Sequence, residues 1–245
     1  MGKRKQITFE RKDPDKDYLP LTIENINEQE RKVHADEKYG DEGNGKLLKD
    51  FFYYNHNNDN YTIVLNKVIL IDYTNSTQLQ QHKSLFTVYT LARAIMSIPN
   101  LDERIENGDP SVVDEIAVLT PINLFSFASK FCFYHNREKY SIFDRVVTDT
   151  IPQYLDVTKS YLRECKNDKK DKDKTKEKKK SYKDYRDVID KLIKAYNLES
   201  EPDIRQKLDH FLWFPNKDKN KGKNKGKNNN RRNKLSLDSS TNNND

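Results

Sequence analysis

Cysteine is scarce in this chain. It has two, Cys132 and Cys165, and they form no Cys-x-x-Cys spacing. That argues against a disulfide-stapled scaffold or a thiolate metal knuckle and points to a reducing, cytoplasmic compartment. The five histidines show no metal-ligand spacing, so no metal and no cofactor is expected. No apolar run reaches membrane length and no signal peptide is expected, so no membrane partner is either. Apolar residues are also limited. Hydrophobic and charged residues each make up 34%, so part of the chain is expected to stay outside any packed core. Alternating strand patterns at regular spacing are absent as well.

What is present is helical periodicity. The pattern predicts helices over residues 46–54, 85–98, 101–107, from Pro110 through Ala117, 155–165, 182–196 and 204–214, joined by short turns. Residues 61–72 fit either a strand or a buried helix, and a helix is the preferred reading. Together these predict a mainly helical, all-α chain with one multi-helix domain over residues 46–215. Residues 1–45 read as a polar N-terminal arm, in which Leu19-Pro20-Leu21-Thr22-Ile23 forms a short strand or docks on the core. Residues 166–181 read as a Lys-rich insertion in a loop. Residues 216–245 read as a disordered basic tail. The tail and residues 163–183 each carry net +6, the same as the whole chain, so the remainder is acidic. Mobile basic segments suit sequence-independent phosphate contacts, and equally suit plain solubility.

The least polar stretch is residues 119–147. Thr120 and Pro121 are placed to start a helix. Leu124, Phe127, Ala128 and Phe131 then recur at helical spacing. Asn123, Ser126 and Lys130 share another face of that helix. His135-Asn136 ends it. After the Arg137-Glu138-Lys139 turn and the extended Tyr140-Ser141-Ile142-Phe143, Asp144 stands at an N-cap position. A helix start there favours its negative form.

Ser126-Phe127-Ala128-Ser129-Lys130-Phe131, followed by Ile142-Phe143-Asp144-Arg145-Val146, resembles the helix-hairpin-helix DNA glycosylases of the oxoguanine and alkyladenine type. The resemblance covers about 60 residues, and Thr120-Pro121-Ile122-Asn123 stands where that family has a Gly-rich hairpin. It implies a DNA-glycosylase-type helical fold that flips a damaged or modified base out of DNA and cuts its N-glycosidic bond. It implies catalytic roles for Asp144 and Lys130. Asn123, Ser126, His135, Asn136 and Tyr140 would line the base pocket, and Lys139 and Arg145 would contact the DNA backbone. Where the archaeal oxoguanine enzymes carry a nucleophilic lysine, this chain has Asn123, which implies a monofunctional enzyme. Some single-domain glycosylases of phage defence share this general look. DNA is the implied partner, for a monomer in the cytoplasm or nucleoid. Two other readings of the residues stay open: a non-catalytic nucleic-acid-binding protein, and a helical protein-interaction module with basic tails.

Overall fold

The computed structural model describes residues 9–165 and 180–219. The basic Lys3-Arg4-Lys5, most of the Lys-rich insertion and residues 220–245 lie outside the described residues. Among those described, eleven α-helices and three single 3-10 turns make one all-α domain, with an isolated antiparallel bridge between Arg11 and Leu155.

The first helix, α1 (Ile23–His34), falls inside the expected polar arm and corrects it. Thr22 caps it by accepting the Asn25 N–H, and it buries Ile26, Gln29 and Val33 at spacings of three and four. Three inward residues suffice for docking, although most of its surface is charged. Next come α2 (Asn44–Tyr54) and α3 (Tyr61–Asn75). Asn60 caps α3 through the Thr62 and Ile63 N–H groups, and α3 buries Val64, Lys67, Val68, Ile71 and Thr74 along one stripe. Then α4 (Val88–Met96) opens on a Thr87/Thr90 capping box, followed by α5 (Leu101–Glu106) and α6 (Ser111–Ala117).

The centre is α7 (Phe125–His135). Eight of its residues are buried, and α2, α3, α5 and α6 all pack on it. It begins later than Thr120 and Pro121 suggest. The Leu124 N–H is already bonded to Ala117 O of α6, so the chain turns tightly between the two helices. Asn123 Oδ1 instead accepts the Phe125 N–H at 2.9 Å.

Residues 140–143 belong to no helix and no sheet. Side chains satisfy much of the backbone of residues 141–143. The Ser141 N–H donates to Tyr182 Oη, whose own hydroxyl donates to Ser141 O. Tyr185 Oη donates to Ile142 O, and the Phe143 N–H donates to Ser129 Oγ at 2.9 Å. Ser129 is therefore a hydrogen-bond acceptor for this segment, beyond giving close packing. Then follow α8 (Arg145–Thr150), α9 (Lys159–Glu164), α10 (Tyr182–Ala195) and α11 (Ile204–Trp213). α11 packs against α1 and α8. The fold also runs past residue 215. Asn216 is buried and donates to Leu212 O, and Lys219 reaches Asp17 O. The expected tail therefore loses its first residues to the body. Cys132 and Cys165 are free and buried. No described helix is long and apolar enough to cross a membrane.

One buried charge ties three elements together. Lys67 of α3 is 0% exposed. Its ammonium donates to His56 O, Asn57 O and Asn58 Oδ1 at 3.0–3.2 Å and lies 3.3 Å from His135 Nε2. Burial pushes its pKa down to about 7, against the pull of Asp102 and Asp59. The carbonyl acceptors are what the charged form needs. Lys67→Met keeps the volume and strands these acceptors. It should cost about 3 kcal/mol in urea unfolding, in the range for charged hydrogen bonds and orphaned partners. A loss below ~1 kcal/mol would show that the ammonium does not hold the 56–58 turn.

Candidate functional site

A cleft of about 810 Å³ opens between the α1–α2 connection, the end of α3, α7, residues 142–144 and α11. Two of the residues expected to do chemistry meet on its wall. Lys130, 5% exposed, donates from Nζ to Ser126 Oγ at 2.8 Å and lies 3.9 Å from Asp144 Oδ2. The spacing of four on α7 brings Ser126 under the ammonium. Asp144 Oδ1 accepts the Val146 N–H at 2.6 Å and caps α8. The carboxylate thus sits between a helix start and an ammonium, both of which stabilise negative charge. Its side chain remains 26% exposed, so it faces the cleft and not the core.

Aromatic residues form the other walls. Tyr39 and Trp213 meet edge to face at 5.0 Å between centroids, and the Lys217 ammonium lies over both rings. Phe133 and Tyr134 line the cleft from α7. Tyr134 Oη donates to Asn75 Oδ1 at 3.2 Å, and burial pushes its pKa up to about 12. At the rim, Arg137 donates to Gln206 Oε1 at 2.7 Å. Glu30 binds His210 and, at 3.1 Å, His34, whose other ring nitrogen is 2.8 Å from Asp41. Hydrogen bonding to Asp41 raises the His34 pKa despite its partial burial.

Gln206, Asp209, His210 and Trp213 recur at spacings of three and four, so one face of α11 lines the cleft. Asp209 stands out there. Its Oδ1 is sealed from solvent without a hydrogen-bond partner. Burial pushes its pKa up to about 7; the charge on His210 opposes the rise, Asp144 adds to it, and Lys130 opposes it.

The remaining expected site residues lie elsewhere. Asn123 is spent at the start of α7, and Ser126 acts only through Lys130. His135 is on the far side of α7 with Lys67, so its neutral Nε2 is an acceptor; burial and that charge hold its pKa well below the usual range. Asn136 ends α7 and donates to Ile105 O and Glu106 O. Tyr140 is fully buried and donates to Asp109 O at 2.9 Å. Successive helix residues point about 100° apart, so neighbours of Lys130 in sequence need not share its face. Lys139 packs its stem on Gly108, where φ is +72° and an added Cβ would come within 2.9 Å. Arg145 is exposed near Asp149. Neither residue lines the cleft. Among the described residues, no three His, Cys, Asp or Glu side chains group as metal ligands.

Residues 25–139 match the model of a family described as the HI_0787_N N-terminal domain. That segment contains Tyr39 and Lys130 and ends before Asp144 and Asp209. A Haemophilus influenzae protein described as uncharacterized is 30% identical over 80 residues, covering 31% of this chain and 40% of that protein. The matched stretch therefore spans less than half of that relative. No solved structure matches.

Asp209 makes the cleft a source of pH-dependent stability. Unfolded, an aspartate ionises near pH 3.8; folded, this one does so near 7. Folding takes up a proton between those values, so stability falls as pH rises through that window and the full cost remains above it. Asp209→Asn removes the cost. Its melting gain should be larger at pH 8 than at pH 5.5, by at least about 2 °C for a domain of this size. An equal gain at both pH values would contradict a neutral Asp209.

Proposed function

We propose that this protein is a DNA N-glycosylase that hydrolyses the glycosidic bond of a damaged or modified base and leaves an abasic site. The observation that carries the proposal is the Lys130–Asp144 pair, 3.9 Å apart at the wall of an aromatic cleft. A base inside a duplex is out of reach, so it has to be flipped into a pocket and stacked. The cleft volume suits a ligand of that size, and Tyr39, Tyr134 and Trp213 offer ring faces and edges to a planar base. Breaking the bond leaves positive charge on the sugar. The Asp144 carboxylate, fixed by the Val146 N–H and already facing the cleft, offsets that charge and can orient the incoming water.

Lys130 fits a positioning role in this scheme. Its Nζ donates to Ser126 Oγ and faces the Asp144 carboxylate, so the amine is engaged in holding that carboxylate in place. The proposal is accordingly a monofunctional enzyme. The Lys-rich stretches of the sequence supply the charge for non-specific DNA contact. A cytoplasmic or nucleoid location goes with this reading, and so do roles in DNA repair or in defence against modified phage DNA.

The test uses duplexes carrying single modified bases, followed by alkali to reveal abasic sites. Wild type should excise at least one of them. Asp144→Asn keeps the size and the cap yet removes the charge, and should lose ~10²–10³ in rate with little change in melting. Borohydride should trap no DNA adduct on wild type. An adduct that vanishes in Lys130→Gln would make the enzyme bifunctional. Full activity in Asp144→Asn would reduce that residue to a helix cap.

A further inference from the structure

We propose that Asp209 is the general acid of this site, protonating the base as it departs while Asp144 offsets the charge left on the sugar. The proposal rests on the glycosylase reading and adds a second carboxyl with the opposite task.

Two carboxyls face one cleft in contrasting surroundings. Asp144 accepts the Val146 N–H at the start of α8 and has the Lys130 ammonium 3.9 Å away. Asp209 has nothing of the kind. One of its oxygens is shut off from solvent and from every donor. An ionised carboxylate would leave a charged oxygen unsolvated there, so the neutral acid is the form this position supports. The groups facing it are His210 on its own helix, Lys130 and Tyr134 on α7, Asp144 at the head of α8, Glu30 on α1 and Tyr185 on α10. His210 is engaged by Glu30, and Lys130 by Ser126 and Asp144. Neither side chain makes a hydrogen bond to Asp209, although both pull on it through space. Its pKa of about 7 matches what a proton donor needs near neutral pH. Two carboxyls in contrasting surroundings at one cleft suit the division between acid and charge-stabilising roles.

The step balances. The C1′–N bond breaks, and its electron pair goes to the base. The Asp209 O–H proton goes to that base, leaving the carboxylate. Water adds its oxygen to C1′, and its proton passes to Asp144. When products leave, Asp144 releases that proton to solvent and Asp209 takes one up. The net change is one water consumed, one free base and one abasic sugar formed. Asp209 and Trp213 are four apart on α11, so the acid and a ring that can contact the base share one helix face.

The experiment compares wild type with Asp209→Asn in single-turnover excision from duplexes carrying uracil, hypoxanthine, 8-oxoguanine or 7-methylguanine. The first three bases leave as anions unless protonated. The last is already cationic and needs no proton. Asp209→Asn should lose ~10²-fold or more on whichever neutral base the wild type excises, the usual worth of a general acid, and less than ~5-fold on 7-methylguanine. The wild-type rate on the neutral base should fall as pH rises above about 7, and the variant should lack that limb. Carboxyl ¹³C NMR of the DNA-free protein should show Asp209 neutral at pH 6, and this readout needs no activity. Equal losses on both kinds of base, a limb retained in the variant, or a carboxyl ionised throughout pH 5–8 would each overturn the proposal. Active wild type with a fully active Asp209→Asn would remove this proposal alone. Wild type inactive on every duplex would remove the glycosylase reading and this proposal with it.

Discussion

A buried segment outside helix and sheet has to find partners for its backbone, and residues 141–143 find them in side chains. Tyr182 takes and gives a hydrogen bond at Ser141, Tyr185 donates to Ile142 O, and Ser129 accepts from Phe143. Arg205 adds a bond to Ser141 Oγ at 2.9 Å. Leaving such groups unpaired would cost ~1–3 kcal/mol each. The segment is thereby locked between α7, α10 and α11, and Asp144 follows it directly. The position of that carboxylate beside Lys130 depends on these bonds, and so does the shape of the cleft.

Polar groups in this fold are mostly engaged in the same way. Lys67 spends its ammonium on the 56–58 turn, and Arg104 binds Asp109, Ser111 and Glu115 at once. Glu30 joins α1 to α11 through His210. In a chain with few apolar residues, such bonds connect elements that a larger core would hold by packing. Against that background, Asp209 Oδ1 and Asn216 Oδ1 are the buried side-chain atoms among the described residues that have no partner. Asn216 still donates through its amide. Asp209 has no comparable structural bond, and it faces the cleft.

Local features were legible from the sequence because local geometry produces them. The spacing of Phe127, Ala128 and Phe131 marks α7, and an aspartate before a helical run caps it wherever it occurs. Lys130 and Asp144 were singled out by the family resemblance, and only the fold brings them within 3.9 Å of each other. The rest of the cleft was not legible, because tertiary packing makes it. α1 hid in a polar segment with three inward residues, so Tyr39 looked like part of an arm. Trp213 falls in the helix predicted over 204–214, but only the packing of α11 turns it to the cleft. Asp209 looks like any helix aspartate until the packing of α11 seals one of its oxygens from solvent. Conversely, His135, Asn136 and Tyr140 lie near Lys130 in sequence but on other faces, where they bind Lys67, α5 and Asp109.

The central claim is that Asp144 presents its negative charge to the sugar of a flipped nucleotide. The most direct measurement is the affinity for two duplexes with non-hydrolysable abasic analogues, one a neutral tetrahydrofuran and the other a cationic pyrrolidine. A site complementary to the charged transition state binds its mimic more tightly. The account predicts a preference of at least ~10²-fold for the pyrrolidine that disappears in Asp144→Asn. Equal binding of the two duplexes by the wild type would contradict it.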